Sequence, residues 1–300
     1  MIAVIITAYN QARFLEESIQ SCLRQRRPPD EIIVVDDGSA DDPASVVERH
    51  PKVRLIAQDN RGLAAARNAG LAAAASDYIT FLDADDRLLS GALEIGERML
   101  ARHPEAVLAY GAYRYIDSAG EIISGKNYVA KLDDPYLQFL RIGNFIGMHA
   151  TVIYRSDRLA AVNGFNEAML ACEDYELFAR LAKIGPLVSH DNVIAEYRMH
   201  NANMSRNRPM MLAAALKVLD GQLTGNISAN VQLAVQEGRR FWKDYYASEL
   251  SEDAFKLFGT KPIRSIRMSL QAMTMSPAAA LEIITSRVKS KIKNHLRSFI

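Results

Sequence analysis

Acidic side chains cluster where two apolar segments of this chain end. Residues 78–82 are followed by Asp83, Asp85 and Asp86, and residues 32–35 are followed by Asp36 and Asp37. Two carboxylates 4 Å apart repel by about 4 kcal/mol at an effective dielectric near 20, so a cation or hydrogen-bond donors must hold them. A hard divalent cation takes oxygen ligands, and a diphosphate can complete its coordination. For either cluster alone, the capping of a turn is the alternative interpretation.

Two further segments carry groups that suit the chemistry of a diphosphate. Asn60 and Arg67 flank the start of an alanine-rich helical pattern, where backbone amides and a guanidinium favour an anion. Glu173 and Asp174 form an acidic pair beside another helical pattern, and a carboxylate in a pocket can remove a proton from a hydroxyl group. For Asp174 the structural alternative is a favourable charge at the N-terminus of a helix.

The histidines give a weaker signal. His149 precedes a strand-like segment, residues 150–154, and could face an acceptor. An imidazole such as that of His200 among carboxylate ligands would favour Mn²⁺ modestly over Mg²⁺. The other four histidines are interpreted as structural or solvated.

The order of apolar segments predicts the framework that positions these groups. Short strand patterns at residues 2–7, 32–35, 53–57 and 78–82 alternate with helical patterns at 12–23 and 63–75. This alternation implies βαβ units and a mostly parallel sheet, with Asn10 as the N-cap of the first helix. Because ligands of open α/β sheets bind outside the carboxyl ends of the strands, we expect the polar clusters to converge at one edge.

The second half of the chain has a different pattern. Residues 107–116 and 121–124 predict a hairpin, residues 135–140 and 173–184 predict helices, and residues 187–193 predict a short strand. From residue 209 onward the pattern is helical, with breaks near residues 259–262 and 276–277. The sequence therefore predicts an α/β region followed by a helical region.

Composition and charge limit the class of protein. The 300 residues are 49% hydrophobic and 24% charged, which excludes a disordered or collagen-like chain. The two cysteines lack metal-site spacing and indicate a reducing compartment. The N-terminus has no positively charged region and its apolar run is too short to span a bilayer, so we expect neither a signal peptide nor an anchor, and a cytoplasmic protein.

The last third of the chain is basic, with 15 Lys and Arg against 7 Asp and Glu in residues 201–300. Apolar residues recur there at helical spacing, at Leu281, Ile284, Val288, Ile292, Leu296 and Phe299. Basic residues occupy the other surface, at Arg287, Lys289, Lys291, Lys293 and Arg297. Such a helix can lie in an anionic membrane interface or pack on its own domain, and both interpretations stay open.

Several common motifs are absent or misplaced. Residues 120–127 nearly match a phosphate-binding P-loop, but the segment ends in Asn and lies in a predicted hairpin. No Gly-x-Gly-x-x-Gly follows the first strand, and no Gly-x-Ser-x-Gly occurs. The sequence therefore argues against a dinucleotide-binding fold and an α/β-hydrolase.

Taken together, the polar segments resemble the family 2 glycosyltransferases of the glycosyltransferase-A fold. The resemblance covers residues 1–205 and rests on VIITAYN (4–10), VVDDGS (34–39), NRG (60–62), ARNAG (66–70), FLDADD (81–86), GFNE (164–167), EDYEL (173–177) and YRMH (197–200). It implies a mostly parallel Rossmann-like sheet flanked by helices. The implied catalytic domain has a nucleotide-binding part at 1–104 and an acceptor part at 105–205, and a helical region follows at 206–300.

The resemblance implies a role for each matching residue. The nucleotide contacts are Thr7, Ala8, Tyr9, Asn10, Asp37, Asn60, Arg67 and Asp83. The metal ligands are Asp85 and, in some members of the family, the residue that matches His200. Asp174 is the implied catalytic base, and we assign Glu173 and His149 to the acceptor side.

The implied activity is that of an inverting, metal-dependent hexosyltransferase. With Mn²⁺ or Mg²⁺ it would transfer a sugar from a nucleotide diphosphate, most often UDP, to a carbohydrate or lipid-linked acceptor in surface polysaccharide synthesis. Its expected location is the cytoplasm or the inner face of the cell membrane, with peripheral contact through the basic C-terminal helix and no nucleic acid partner. The alternatives are a noncatalytic scaffold of a polysaccharide assembly complex and, more remotely, a sugar nucleotidyltransferase. The latter would need a Gly-rich, basic loop after the first strand, which the sequence lacks.

Overall fold

The computed structural model describes residues 1–127, 129, 133–200 and 203–297. The chain forms two compact units. The first consists of Met1–Phe139 and Asn144–Asn203, and the second of Leu140–Gly143 and the chain from Met204 onward. The division of roles between residues 1–205 and 206–300 stays a prediction.

The first unit begins with a parallel sheet. Its strands are β1 (Ile2–Ala8), β2 (Glu31–Asp36), β3 (Val53–Ala57) and β4 (Tyr78–Asp83), and the connecting helices are α1 (Ala12–Leu23), α2 (Pro43–Val47) and α3 (Leu63–Ala73). All seven residues of β1 are buried, as expected of a parallel strand covered on both faces. Thr7 lies beside Asp83 in the register of β1 and β4, and Ala8 lies beside Asp36 in that of β1 and β2. The four predicted strands are thus present.

The rest of the sheet is mixed. The next elements along the chain are β5 (Arg87–Leu88), α4 (Ala92–Arg102), β6 (Leu108–Ile116), β7 (Ile122–Lys126), α5 (Pro135–Ile142), β8 (Val152–Arg155), α6 (Ser156–Ala161), α7 (Glu173–Leu181) and β9 (Leu187–Arg198), and α5 alone is shared with the second unit. The strand order is β3-β2-β1-β4-β8-β6-β9-β5, with β7 on β6. Because β8 runs antiparallel to both β4 and β6, the sheet is parallel only in part, and the prediction of a mostly parallel sheet is corrected.

Local contacts explain how the first helices lie on the sheet. In α3, a Cβ atom at Gly70 would overlap the side chain of Ile5 in β1, so a glycine permits the close approach of helix and strand. The predicted N-cap of α1 at Asn10 is wrong. Asn10 has a φ of 54° and accepts a hydrogen bond from the backbone N–H of Ala40, while the Asp41 carboxylate accepts from the N–H of Ala12 at 2.8 Å. The side chain that binds the start of α1 therefore comes from the loop after β2.

The second unit is helical. Its helices are α8 (Arg208–Gly221), α9 (Ala229–Leu257), α10 (Pro262–Met275) and α11 (Pro277–Arg297), so both predicted breaks are present. Within it, Leu250, Ala272 and Ala280 form a small buried cluster. In the described ranges, no helix has the length and apolar character that a membrane span requires. The side chains of the predicted amphipathic face from Val288 onward lie outside the described residues.

Candidate active site

The carboxyl ends of β1, β2 and β4 lie at one edge of the sheet because these strands are parallel neighbours. The Thr7 hydroxyl donates a hydrogen bond to Asp83 Oδ1 at 3.2 Å. Asp37 follows β2 directly and its N–H donates to the carbonyl of Ala8. The strand-end residues of three predicted segments are therefore together, as the sheet topology requires.

A buried arginine joins this edge to the second half of the unit. Arg67, in α3, is 2% exposed. Its Nη2 donates to Asp83 Oδ1 at 2.9 Å and its Nη1 donates to Glu173 Oε1 at 2.6 Å. The guanidinium also lies 5.5 Å from the ring centroid of Phe165. A planar guanidinium suits such paired contacts, since its N–H groups form a fixed fork.

This burial bears on two predicted roles. Arg67 was expected at the nucleotide and Glu173 at the acceptor, but Glu173 is only 5% exposed and contacts Arg67 directly. The two side chains form an ion pair with each other. Either charge would be costly at this buried position without its partner. The geometry therefore favours a positioning role for Arg67 and Glu173 over direct ligand contacts.

Asp174 has different surroundings. It is partly exposed in the first turn of α7, where the backbone N–H groups favour negative charge. Its Oδ1 accepts from the N–H of Tyr175 at 2.7 Å and its Oδ2 accepts from the Asn144 amide at 3.0 Å. Burial raises the pKa of Asp174, although the positive charge of Arg67 opposes the increase. Two hydrogen bonds thus fix the Asp174 carboxylate, and its raised pKa makes it more basic than an ordinary aspartate.

Asp85 and His200 contact each other across 115 positions of sequence. Asp85 Oδ2 lies 2.7 Å from His200 Nε2 and accepts from the Gln11 amide at 3.3 Å. The His200 ring stacks on Phe14 with centroids 5.4 Å apart. Burial and the charge of Asp83 raise the pKa of Asp85, while the hydrogen bond with His200 opposes this. The two predicted metal ligands therefore lie together.

Arg198 fixes the turn that carries Asp85. It is fully buried, and its Nε donates to the Asp85 carbonyl at 2.7 Å. Its backbone N–H donates to Asp86 Oδ1 at 2.8 Å. Burial raises the pKa of Asp86 well above its usual range. The third aspartate of this cluster is therefore a structural link between the turn and the end of β9.

A divalent cation fits this site with a limited set of protein ligands. The Asp85 carboxylate and the His200 imidazole are donors that suit Mn²⁺. Over the described ranges, no group of three or more His, Cys, Asp or Glu side chains could hold a metal ion. The remaining ligands would therefore have to come from water and from the oxygen atoms of a bound diphosphate.

Asp37 shapes the loop before α3. It is 3% exposed, and its two oxygens accept from the Gln58 amide at 2.7 Å, the N–H of Arg61 at 2.9 Å and the N–H of Gly62 at 2.8 Å. Asn60, in this loop, is exposed. The hydrogen bonds give Asp37 a structural role at least, and the nucleotide contacts of Asp37 and Asn60 stay predictions.

The loop after β1 contains the remaining predicted nucleotide contacts. Thr7 and Ala8 are buried in the sheet, whereas Tyr9 is 51% exposed. An exposed ring at the end of a strand is available to stack on a nucleobase. Asn10 instead links this loop to residues 39 and 40, since its N–H donates to Ser39 Oγ at 3.0 Å.

The structure does not support the acceptor role predicted for His149. This residue is 5% exposed, and its Nε2 lies 3.0 Å from the Tyr154 hydroxyl. Its ring packs among those of Phe81, Phe165 and Phe178. Burial lowers the pKa of His149 well below its usual range. His149 is thus a neutral member of an aromatic cluster in the core.

Sequence reasoning missed several residues of the site. Gln11 and Asn144 carry no recognisable signal, because each acts through a partner that is distant in sequence. Asn68, by contrast, lies in a quoted motif: its amide donates to the Phe165 carbonyl at 2.9 Å and its Oδ1 accepts from the Phe165 N–H at 2.8 Å. Two of the recognised motifs therefore bind each other.

Comparison with known proteins gives a consistent set of similarities. The sequence profile of glycosyl transferase family 2 matches residues 3–168. A chondroitin synthase of Escherichia coli is 28% identical over 211 residues, which are 68% of this chain and 30% of that protein. An uncharacterized glycosyltransferase of Haemophilus influenzae is 34% identical over 184 residues, which are 59% of this chain and 70% of that protein. The chain therefore spans under a third of the chondroitin synthase.

Solved structures show a similar fold. S. aureus TarS in complex with UDP has a TM-score of 0.60 at 15% identity, over 94% of this chain and 82% of that one. The mannosyltransferase PcManGT from Pyrobaculum calidifontis, in complex with GDP-Man and Mn²⁺, has a TM-score of 0.63 at 17% identity, over 99% and 82% of the two chains. These likenesses show the fold alone, and they confirm the predicted glycosyltransferase-A class with a helical C-terminal region.

Proposed function

Because this chain belongs to glycosyl transferase family 2, we propose that it transfers a hexose from a nucleotide diphosphate donor to a carbohydrate or lipid-linked acceptor in polysaccharide synthesis. We take the donor to be UDP-linked and the transfer to invert the anomeric carbon. The chondroitin synthase of Escherichia coli and the UDP complex of S. aureus TarS support these substrate classes.

The buried contacts of Arg67 carry this proposal. Through Asp83 and Glu173 they hold the start of α7 against the end of β4. The same turn that follows β4 contains Asp85, which contacts His200. The groups that suit a diphosphate are therefore connected to the start of α7. That helix start carries Asp174, whose carboxylate suits proton removal. Such an arrangement is what sugar transfer from a diphosphate requires.

In the proposed reaction Asp174 acts as the general base. It accepts the proton of the acceptor hydroxyl, whose oxygen forms a bond to the anomeric carbon. The bond from that carbon to the diphosphate oxygen breaks, and its electron pair leaves with the nucleotide. A raised pKa makes Asp174 a better proton acceptor than an ordinary carboxylate, and general bases typically contribute about 10²- to 10⁴-fold to the rate.

A divalent cation would stabilise the negative charge on the departing diphosphate. Asp85 and His200 would hold it, as Mn²⁺ or Mg²⁺, and the Mn²⁺ complex of PcManGT supports this choice. We also propose a cytoplasmic location, which the two free and buried cysteines support. No observation favours the noncatalytic-scaffold alternative.

Binding and transfer measurements test the two assignments separately. A thermal-shift screen of nucleotide sugars with and without Mn²⁺ identifies the donor, since a ligand of the native state raises apparent stability. We expect Asp85→Ala to remove the metal-dependent part of UDP binding. We expect Asp174→Asn to retain UDP binding and to lose about 10²- to 10⁴-fold in transfer.

Asp157→Asn is the matched control, because Asp157 lies outside the site and its side chain is 69% exposed. It should retain both properties. If a chelator and Asp85→Ala leave the affinity for UDP unchanged, the metal assignment is wrong. If Asp174→Asn transfers sugar at the wild-type rate, another residue is the base.

A further inference from the structure

One face of α10, in the second unit, is apolar and exposed. Ile263, Ile266 and Leu270 are 85%, 54% and 65% exposed. Their spacing of three and four residues puts them on one stripe of the helix. Phe258, shortly before the helix, is 58% exposed. Single exposed apolar side chains need no explanation, but a continuous stripe indicates an interaction surface.

The other face of α10 is already packed within its own unit. Ser265 is 2% exposed, and its hydroxyl donates to the Ala254 carbonyl of α9 at 2.7 Å. Ala272 is fully buried, in a cluster with Leu250. The helix is therefore anchored by one face and leaves the opposite, apolar face to solvent.

The charged residues of α10 itself are all positive. Helix α10 contains Arg264 and Arg267, with Lys261 directly before it, and residues 254–281 include no Asp or Glu. Among the ion pairs of the described residues, none involves these three cations. Three acidic residues of α9, the helix on which α10 packs, are paired with other cations, as in Arg208–Glu249, Lys256–Asp253 and Arg287–Glu252. The positive charge beside the stripe is thus available to an external anion.

We propose that this surface, called the α10 face and defined by Ile263, Ile266, Leu270, Arg264 and Arg267, docks on a bilayer that contains anionic phospholipids. The three apolar side chains enter the boundary between headgroups and acyl chains, and the arginines lie at the level of the phosphates. A helix that is apolar on one side and basic beside it is the type that binds such interfaces.

The charge also argues against the main alternative, a second copy of this chain. A two-fold symmetric dimer through the α10 face would bring the same unpaired cations of both copies together. That arrangement would be repulsive, whereas an anionic bilayer neutralises the cations. Docking does not depend on the proposed transfer reaction, so the two proposals can fail independently.

Vesicle cosedimentation of the full chain tests the proposal. We expect binding to phosphatidylcholine vesicles that contain phosphatidylglycerol, little binding to phosphatidylcholine alone, and weaker binding at high salt. The double variant Ile266→Gln/Leu270→Gln should bind at least tenfold more weakly, because it removes the buried apolar area. Arg264→Ser/Arg267→Ser should lose about fivefold per arginine, since each basic residue near an anionic bilayer contributes about 1 kcal/mol.

Two control variants are matched to these changes. Leu233→Gln alters a 50% exposed side chain of α9, and Arg24→Ser/Arg102→Ser removes the same charge from exposed positions of the first unit. Both should bind like wild type, and all variants should keep the wild-type circular dichroism spectrum. Absence of wild-type binding to the anionic vesicles would overturn the proposal, as would unchanged binding by both α10 variants. A dimer in sedimentation equilibrium that Ile266→Gln/Leu270→Gln dissociates would instead identify a self-association surface.

Discussion

Glu173 and Asp174 are adjacent in sequence but differ in their surroundings. Glu173 is buried against Arg67, while Asp174 is partly exposed and accepts a hydrogen bond from Asn144. Burial raises the pKa of both carboxyl groups, with Arg67 opposing it. Their different partners fit the different tasks proposed for them, in which Glu173 orients the buried guanidinium and Asp174 accepts the proton of the acceptor hydroxyl.

The Asn144 contact predicts a shift in the pH dependence of transfer. The proposed base works only when ionised, so kcat/KM should rise with pH through the pKa of Asp174, above the usual aspartate range. The Asn144 amide stabilises the ionised form, so Asn144→Ala should raise this pKa and move the acidic limb to higher pH. The charges of Arg67 and Asp83 also act on Asp174 and are unchanged in this variant.

The measurement is a pH profile of kcat/KM with a fixed donor and acceptor. Asn226→Ala, at an exposed position of the second unit, is the control and should leave the profile unchanged. An acidic limb at the same pH in Asn144→Ala and wild type would show that Asp174 is not the titrating base.

The buried pair of Arg67 and Glu173 predicts a non-additive effect on stability. Arg67→Met leaves the Glu173 carboxylate buried without its partner and should lower the free energy of unfolding by about 3–5 kcal/mol. The double variant Arg67→Met/Glu173→Met removes both charges and should recover a large part of that loss. Urea denaturation measures all the variants.

The exposed pair of Arg61 and Glu167 provides the comparison. These side chains are 61% and 42% exposed, so Arg61→Met should change stability by about 1 kcal/mol at most. If the double variant at Arg67 and Glu173 is as unstable as the sum of the two single changes, their contact has no stabilising role.

Sequence reasoning found the strand-end aspartates because their residue types and positions are local features. It linked Asp85 with His200 only through resemblance to a family, since 115 positions separate them. The Asn144 contact with Asp174 could not be predicted, because it depends on how a loop folds onto α7. Burial also could not be inferred, and it is the observation that favours a positioning role for Glu173 and a packing role for His149.

At the level of elements, α9 shows how one glycine permits close packing. Gly238 lies inside this 29-residue helix, where a Cβ atom would overlap the Leu140 carbonyl of the same unit. Overpacking in Gly238→Ala should therefore lower the free energy of unfolding by about 1–3 kcal/mol. The higher helix propensity of alanine should offset about 1 kcal/mol of this loss. Thermal unfolding measures the change.

Gly221, at the end of α8, is the matched control. Apart from its own turn of helix, no atom lies within 4 Å of the position where its Cβ would be, so Gly221→Ala should leave stability unchanged or raise it slightly. Equal effects of the two substitutions would contradict the role of Gly238 in close packing.

The elements themselves were largely predictable, since periodicity reports which residues are buried. The direction of β8 in the sheet could not be predicted, because its apolar pattern would be the same in a parallel or an antiparallel strand. The length of β9 was underestimated as well. Its register against β6 shifts between Tyr110 and Ala112, which pair with Ser189 and Val193, so the polar residues between them lie in an irregularity within the strand. Such residues look like a strand end in the sequence.

At the scale of the whole molecule, the sequence of α5 is divided between the units. Its residues up to Phe139 belong to the first unit, while Leu140–Gly143 belong to the second. Leu140 is fully buried, and Gly143, with a φ of 75°, lies so close to Trp242 that a Cβ atom would overlap the indole. The boundary between the units is therefore crossed more than once by the chain.

This division predicts the behaviour of a fragment. A chain that ends at Asn203 would expose Leu140 and should unfold at a lower urea concentration than the full chain, because buried apolar area is lost. The unfolding of both chains should be followed by circular dichroism rather than by tryptophan fluorescence, because the fragment lacks Trp242. Equal midpoints would show that residues 140–143 do not need the later helices.

The divided helix also constrains recombination between this chain and a relative. A crossover after residue 203 would combine one parent's Leu140–Gly143 with another parent's Trp242 and Gly238, which evolved against different partners. A working chimera would have to inherit both stretches from the same ancestor. If the C-terminal helices are exchanged with those of a relative, residues 140–143 should be inherited together with the helices, although they lie in the N-terminal part of the sequence.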